Sequence, residues 1–311
     1  LDENGYPVKD WTHSEFVEIA KAITNYDIVN TENLVIGFDT WYGAPDFQQV
    51  WPMMNNTSYG YDTWDGTKFN YTDSEWIAAM QAKVEIDNFE NNLGVTSRYP
   101  EADWTSTPAL QTYVIQTGYA AMDIEGSWQF WVIQEAQENG VNMGFWPYPS
   151  GSEGLFPPTI LDYQAVSVQT AHPEEAFLLA KWMTFGQDGW NARLDLYEED
   201  KAAAELAGET PVYLDRFPMA DYPGVWDRVE ALVDGIEGID YTLDRISDAR
   251  PDLDKWLAGY KTFWAWVSDP ENPYNWTALQ TAGPTAVPTF AAQWNIKANE
   301  LVAEEIAALG A

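Results

Sequence analysis

The sequence contains no cysteine. It can form neither disulfides nor thiolate metal sites, which argues against a small secreted domain held together by cross-links. Basic residues are scarce. Against 49 Asp and Glu there are 15 Lys and Arg, a net charge of −34. Nucleic acid and anionic lipid are bound through Lys and Arg, so a chain this acidic excludes both as partners. No uninterrupted apolar run approaches the roughly 20 residues that cross a bilayer. There are two histidines: His13 falls inside a helix-capping pattern and His172 in a His-Pro turn. Both positions suit surface residues better than a catalytic base. No phosphate-binding glycine loop, dinucleotide fingerprint or His-Glu-x-x-His pair occurs, so neither cofactor nor metal is expected. Asp2-Glu3-Asn4-Gly5 reads as a loop and carries no export-signal pattern. Repeats, low-complexity runs and heptads are also missing.

What the chain has in excess is aromatic surface. Its 311 residues include 17 Trp and 17 Tyr, more than packing alone requires. Many of these rings are expected in the core. The surplus points to faces that stack on flat ligands, of which sugars are the commonest soluble class. The length suffices for one large or two ordinary domains.

Local patterns give a coarse map. Thr12 with Glu15 forms a capping box before Phe16, Ile19, Ala20 and Ile23 at helical spacing. Leu34–Phe38 reads as a strand, and Phe47–Met54 as a helix. Tyr59–Tyr71 alternates aromatic and polar residues around Asp65-Gly66, which predicts a hairpin. Thr72 with Glu75 makes a second capping box. Met143–Trp146 and Ile160–Val168 read as strands, with a Gly- and Pro-rich loop between them. Pro173 suits the first turn of a helix, where its missing N–H costs nothing. Val225–Val233 is helical by spacing, Pro251 opens a helix carrying Trp256, and a last amphipathic helix follows Pro284.

One stretch stands out: Gly118-Tyr119-Ala120-Ala121-Met122-Asp123-Ile124-Glu125-Gly126-Ser127-Trp128. Gly118 fits a left-handed helix cap, Ala120–Ile124 a short buried strand, and Ser127 the cap of a new helix. Trp128 then lies in a first helical turn, where free N–H groups and a flat indole face would both suit a sugar ring. An ordinary core role for Trp128 stays open. This segment resembles the signature of family 1 extracellular solute-binding proteins, the sugar receptors of bacterial ABC importers related to maltose-binding protein. Further pieces follow in the family's order: Asp10-Trp11-Thr12 with Glu15-Phe16, Asn142–Pro149, Ala165–Val168 with His172–Phe177, Ala249-Arg250-Pro251, and the final helix.

The resemblance implies an α/β fold of the periplasmic-binding-protein type II. Two lobes would be joined by hinge crossings, with the first lobe incomplete and the chain starting near the first crossover. The expected division is 1–159 for the main part of the second lobe, 160–248 for a first-lobe segment and 249–311 for the closing helices. It also implies a cleft site built from Trp128, Trp41, Tyr42, Asp39, Trp256 and Tyr163, with Trp256 preferred over Trp264 and Trp266. A helix cap is the competing role for Asp39. The expected function is capture of a carbohydrate, such as an oligosaccharide, for ABC permease subunits. That places the protein outside the cell, lipid-anchored or periplasmic, without enzymatic activity. Two alternatives remain: a secreted glycoside hydrolase, for which Asp123 and Glu125 are the carboxyl pair to consider, and a surface carbohydrate-binding module without a transporter.

Overall fold

The structure is a computed structural model and describes residues 6–25, 35–39, 46–92, 114–161 and 163–310. In chain order the helices are α1 (His13–Ile23), α2 (Phe47–Asn55), α3 (Ser74–Asn92), α4 (Phe130–Glu138), α5 (Pro173–Met183) and α6 (Gln187–Ala207). They continue with α7 (Val225–Val233), α8 (Ile239–Leu243), α9 (Tyr260–Val267), α10 (Trp276–Ala282) and α11 (Val287–Leu309). About 56% of the described residues are helical. The one sheet among the described residues pairs β1 (Pro158–Thr159) with β2 (Arg250–Pro251) in parallel. No helix among these residues is long and apolar enough to cross a membrane.

The described residues group into two compact units. The first takes those within 1–124, 147–161 and 241–311, the second those within 125–146 and 162–240. The sequence reading divided the chain at 159/160 and 248/249, whereas these compact units change over at 124/125, 146/147, 161/162 and 240/241.

In the first unit, the capping box at Thr12 forms as the sequence predicts: the Thr12 hydroxyl accepts the Glu15 N–H, and Glu15 accepts the Thr12 N–H at 2.7 Å. The helix that follows buries Phe16, whose ring meets Phe38 and Phe47 edge-on at 5.0 and 5.4 Å. Phe47 stacks on Trp51 at 4.2 Å. A second aromatic cluster centres on Trp294 of α11, fully buried, with Trp76, Phe263 and Trp264 rings about it at 6.0, 6.2 and 5.9 Å. Its indole donates to Tyr274 O at 2.7 Å, so the polar edge of the ring is paired inside the core.

Several expectations give way here. His13 is no surface residue: its ring lies flat on Trp51 at 4.2 Å, and burial lowers its pKa to about 3. The predicted hairpin is absent, because Tyr61, Asp62 and Thr63 are all buried in succession and alternation is lost. These three form a single tight turn, with Asp62 and Thr63 at φ 53° and 62°. Asp65-Gly66 does make a turn, in which the Asp65 carboxylate accepts the Thr67 and Lys68 N–H groups. α3 is capped by Asp73, which accepts the Glu75 N–H at 2.9 Å, and not by Thr72. The described parts of Leu34–Phe38 and of Ala120–Ile124 contribute isolated bridges instead of strands: Val35 pairs with Asn25, and Ile36 with Ala120. Met143–Trp146 holds one ladder-like bond, from Phe145 N–H to Glu237 O at 2.8 Å.

In the second unit α7 has the bounds predicted, because Val225, Val229, Leu232 and Val233 recur on one buried face. Arg228 of this helix reaches α6, where its guanidinium donates to Asp195 and Glu198 at 2.6 Å each. α5 starts at Pro173 as expected, but none of its residues is buried.

Candidate functional site

The residues singled out from the sequence are distributed over both units, and two of them lie outside the described residues. Trp41 and Tyr42 lie outside the described residues. Asp39 is in the first unit, half-buried, and its N–H donates to Met122 O at 2.9 Å. Trp256 is also in the first unit, 61% exposed, in the turn Leu253–Trp256 that precedes α9. Trp128 and Tyr163 belong to the second unit, and Tyr163 is 51% exposed. Asp123 falls in the first unit and Glu125 in the second.

Around Trp128 the local prediction is partly met. Gly118 is left-handed at φ 76°, after one short turn at Val114–Thr117. Trp128 enters a single tight turn ahead of α4, with Gly126 as its cap. Ser127 does not cap; its hydroxyl donates to Asp215 O at 3.1 Å. The indole folds back over Gly126, where a Cβ would lie 2.1 Å from the ring. Glycine is required here by space, since its φ of −99° is open to any residue.

The site that the structure does assemble lies in the first unit, where α2, α9 and α10 meet. A cavity of about 330 Å³ is lined by Asp46, Gln48, Trp264, Val267, Ser268, Trp276 and Thr277. A second, of about 520 Å³, shares Ser268, Trp276 and Thr277 and extends along Asn275, Ala278 and Thr281. Trp276 therefore stands between the two. Gln48 is 1% exposed; its Nε2 donates to Asp46 at 3.4 Å, while its Oε1 has no hydrogen-bond partner. A buried acceptor left unpaired costs free energy, so it favours an incoming donor. Lys83 sits behind this corner, 2.8 Å from Asp87 and 3.9 Å from Asp46, with its ammonium 5.9 Å from the centre of the Trp276 ring.

The sequence places these groups through ordinary devices. Asn275 caps α10 by accepting the Ala278 N–H at 2.8 Å, which sets Trp276 at its first position. At the start of α2, the Gln49 side chain accepts the Asp46 N–H at 2.9 Å and donates to the Tyr260 hydroxyl at 3.4 Å. Tyr260 opens α9 close to Asp62, whose carboxyl accepts the Tyr71 hydroxyl at 2.8 Å and the Trp76 indole N–H at 3.1 Å. Asp62 is fully buried, and desolvation raises its pKa to about 7 against the hydrogen bonds it accepts. The Gln49–Tyr260 bond ties α9, which carries Trp264, to the helix that carries Gln48, and Asp62 holds Tyr71 and Trp76 in the core beside them. It anchors the groove without lining it.

Sequence reasoning ranked Trp264 below Trp256 and passed over Gln48 and Trp276. The missed signal was Asn275-Trp276, a capping residue followed by an indole, set against the end of an aromatic-rich helix. Among the described residues no group of three His, Asp or Glu side chains could hold a metal. No protein-family model, curated protein or solved structure matches the chain.

Proposed function

We propose that the protein is the carbohydrate-capturing component of a bacterial ABC importer, working outside the cell. In this reading the fold is a two-lobe α/β receptor of type II, and the bound sugar is passed to permease subunits. The observation that carries it is the groove of the first unit: two indole faces, Trp264 and Trp276, beside the unpaired Gln48 Oε1. A sugar ring presents C–H faces to stack on indoles and hydroxyls to fill such an acceptor. The resemblance of the Gly118–Trp128 segment and its companions supplies the transport context.

The same groove bears on the rival readings. Glycoside hydrolysis uses two facing carboxyl groups, and Asp46 is the one carboxylate among the described residues lining the two cavities. Asp46 therefore favours binding over bond cleavage. A surface carbohydrate-binding module would share the groove and lack the permease partner. Isothermal titration of wild type with a panel of neutral oligosaccharides, followed by product analysis, tests the proposal. Saturable binding without hydrolysis is expected, with Trp276→Ala weakening it about tenfold. Hydrolysis products, or heat from no sugar, would overturn it.

A further inference from the structure

The donors along the groove are largely committed before any ligand arrives. Gln48 Nε2 donates to Asp46 at 3.4 Å, and the Ser268 hydroxyl to Trp264 O at 2.9 Å. The Thr281 hydroxyl donates to Thr277 O at 2.8 Å. Asn275 Nδ2 donates to Pro270 O and Asn272 O at 3.3 and 2.7 Å, and its oxygen caps α10. Trp264 Nε1 is buried without a hydrogen-bond partner, so this neutral donor stays uncommitted. Donors still turned to the groove are neutral, the Trp276 indole and the Thr277 hydroxyl. Its acceptors are more numerous: the Asp46 carboxylate, the unpaired Gln48 Oε1, and the lone pairs of Ser268 and Thr281.

Charge points the same way. The nearby cation, Lys83, has both Asp87 oxygens within 2.9 Å. Asp46 is farther from it, at 3.9 Å, and its side chain is 41% exposed. Two carboxylates thus share one ammonium, which leaves the corner with one net negative charge. Indole faces add attraction for a cation, and the net charge of −34 enriches cations near the whole surface.

Resting on the carbohydrate reading above, we infer that the groove selects its sugar by charge: it binds an amino sugar with its ammonium at Asp46, accepts the neutral sugar less well, and rejects the carboxylated one. The hydroxyls of the same ring reach Gln48 Oε1 while its face lies on Trp276. Among the described residues an anionic sugar meets no uncommitted cation at this corner and faces Asp46 directly. A neutral or acylated sugar keeps the stacking and the Gln48 bond but leaves the corner's charge uncompensated.

Matched oligomers of glucose, glucosamine, N-acetylglucosamine and glucuronate, titrated into the intact protein by calorimetry at two salt concentrations, test this. The glucosamine oligomer should bind up to about fivefold more tightly than the neutral ones, the range of a partly exposed ion pair. That advantage should shrink with added salt, and glucuronate should give no measurable binding. Asp46→Asn should remove the preference for glucosamine over glucose, read as the ratio of their affinities in the variant. Should Asp46→Asn keep the preference, the attraction belongs to the acidic surface at large and the inference fails. Equal binding of glucose and glucosamine, or binding of glucuronate, also overturns it and leaves carbohydrate capture standing. Silence from all four sinks both.

Discussion

Replacing Asp62 by Asn should change how stability depends on pH, by an amount that follows from its burial. The Asp62 carboxyl is fully buried, and its pKa rises from 3.8 to about 7 in the folded protein. A group raised on folding holds its proton more tightly in the native state. Its contribution is complete below about pH 4 and is lost as pH climbs through about 7. A rise of this size corresponds to about 4 kcal/mol. The amide cannot titrate, so the Asn variant lacks this loss. It also puts an amide NH2, which cannot accept, where the carboxyl has its second oxygen, so Tyr71 or Trp76 loses its acceptor, costing about 1–3 kcal/mol. At about pH 4 the variant should therefore be less stable than wild type. By about pH 8 the gap should close or reverse. Urea unfolding of both proteins at several pH values, followed by near-UV circular dichroism, measures the difference. The comparison cancels other titrating groups, among them His13, whose lowered pKa acts in the opposite direction over the same window. A stability difference that stays constant from pH 4 to 8 would refute the reasoning.

Two further outcomes follow from the second unit. Gly126→Ala should cost about 1–3 kcal/mol by driving a methyl into the Trp128 ring, and the same change in a Trp128→Ala background should cost almost nothing; equal costs in both backgrounds would remove the ring contact as the cause. Arg228→Met should cost no more than about 1 kcal/mol despite its two close carboxylates, because Asp195 and Glu198 are exposed, and the loss should shrink in high salt. Thermal melts at two ionic strengths read this directly.

The parts legible in the sequence were those written in short-range chemistry. Thr12 with Glu15, Pro173, and the Val225–Val233 spacing each fix a helix end or face within a few residues, and the structure follows them. The Tyr59–Tyr71 segment misled because its aromatic residues do not alternate between two sheet faces. Tyr61, Phe69 and Tyr71 all turn inward around Asp62, a buried carboxyl that no local pattern marks. The start of α9 was misplaced for a related reason. Pro251 pairs in β2, and Gly259 at φ 85° breaks the chain before Tyr260 begins the helix, so Trp256 stays on an exposed turn while Trp264 faces the groove. Trp264 and Gln48 are more than 200 positions apart, and only the packing of α9 on α2 through Tyr260 and Gln49 brings them together. Aromatic excess announced a stacking surface, but could not say which rings supply it.

Fluorine NMR of the protein labelled with 5-fluorotryptophan tests the groove most directly. Single Trp→Phe variants identify the Trp264 and Trp276 signals, and a neutral oligosaccharide is then added in steps. Capture between these two indoles predicts that both signals shift together and saturate at one concentration. Saturable shifts confined to other tryptophans, with Trp264 and Trp276 unmoved, would contradict it.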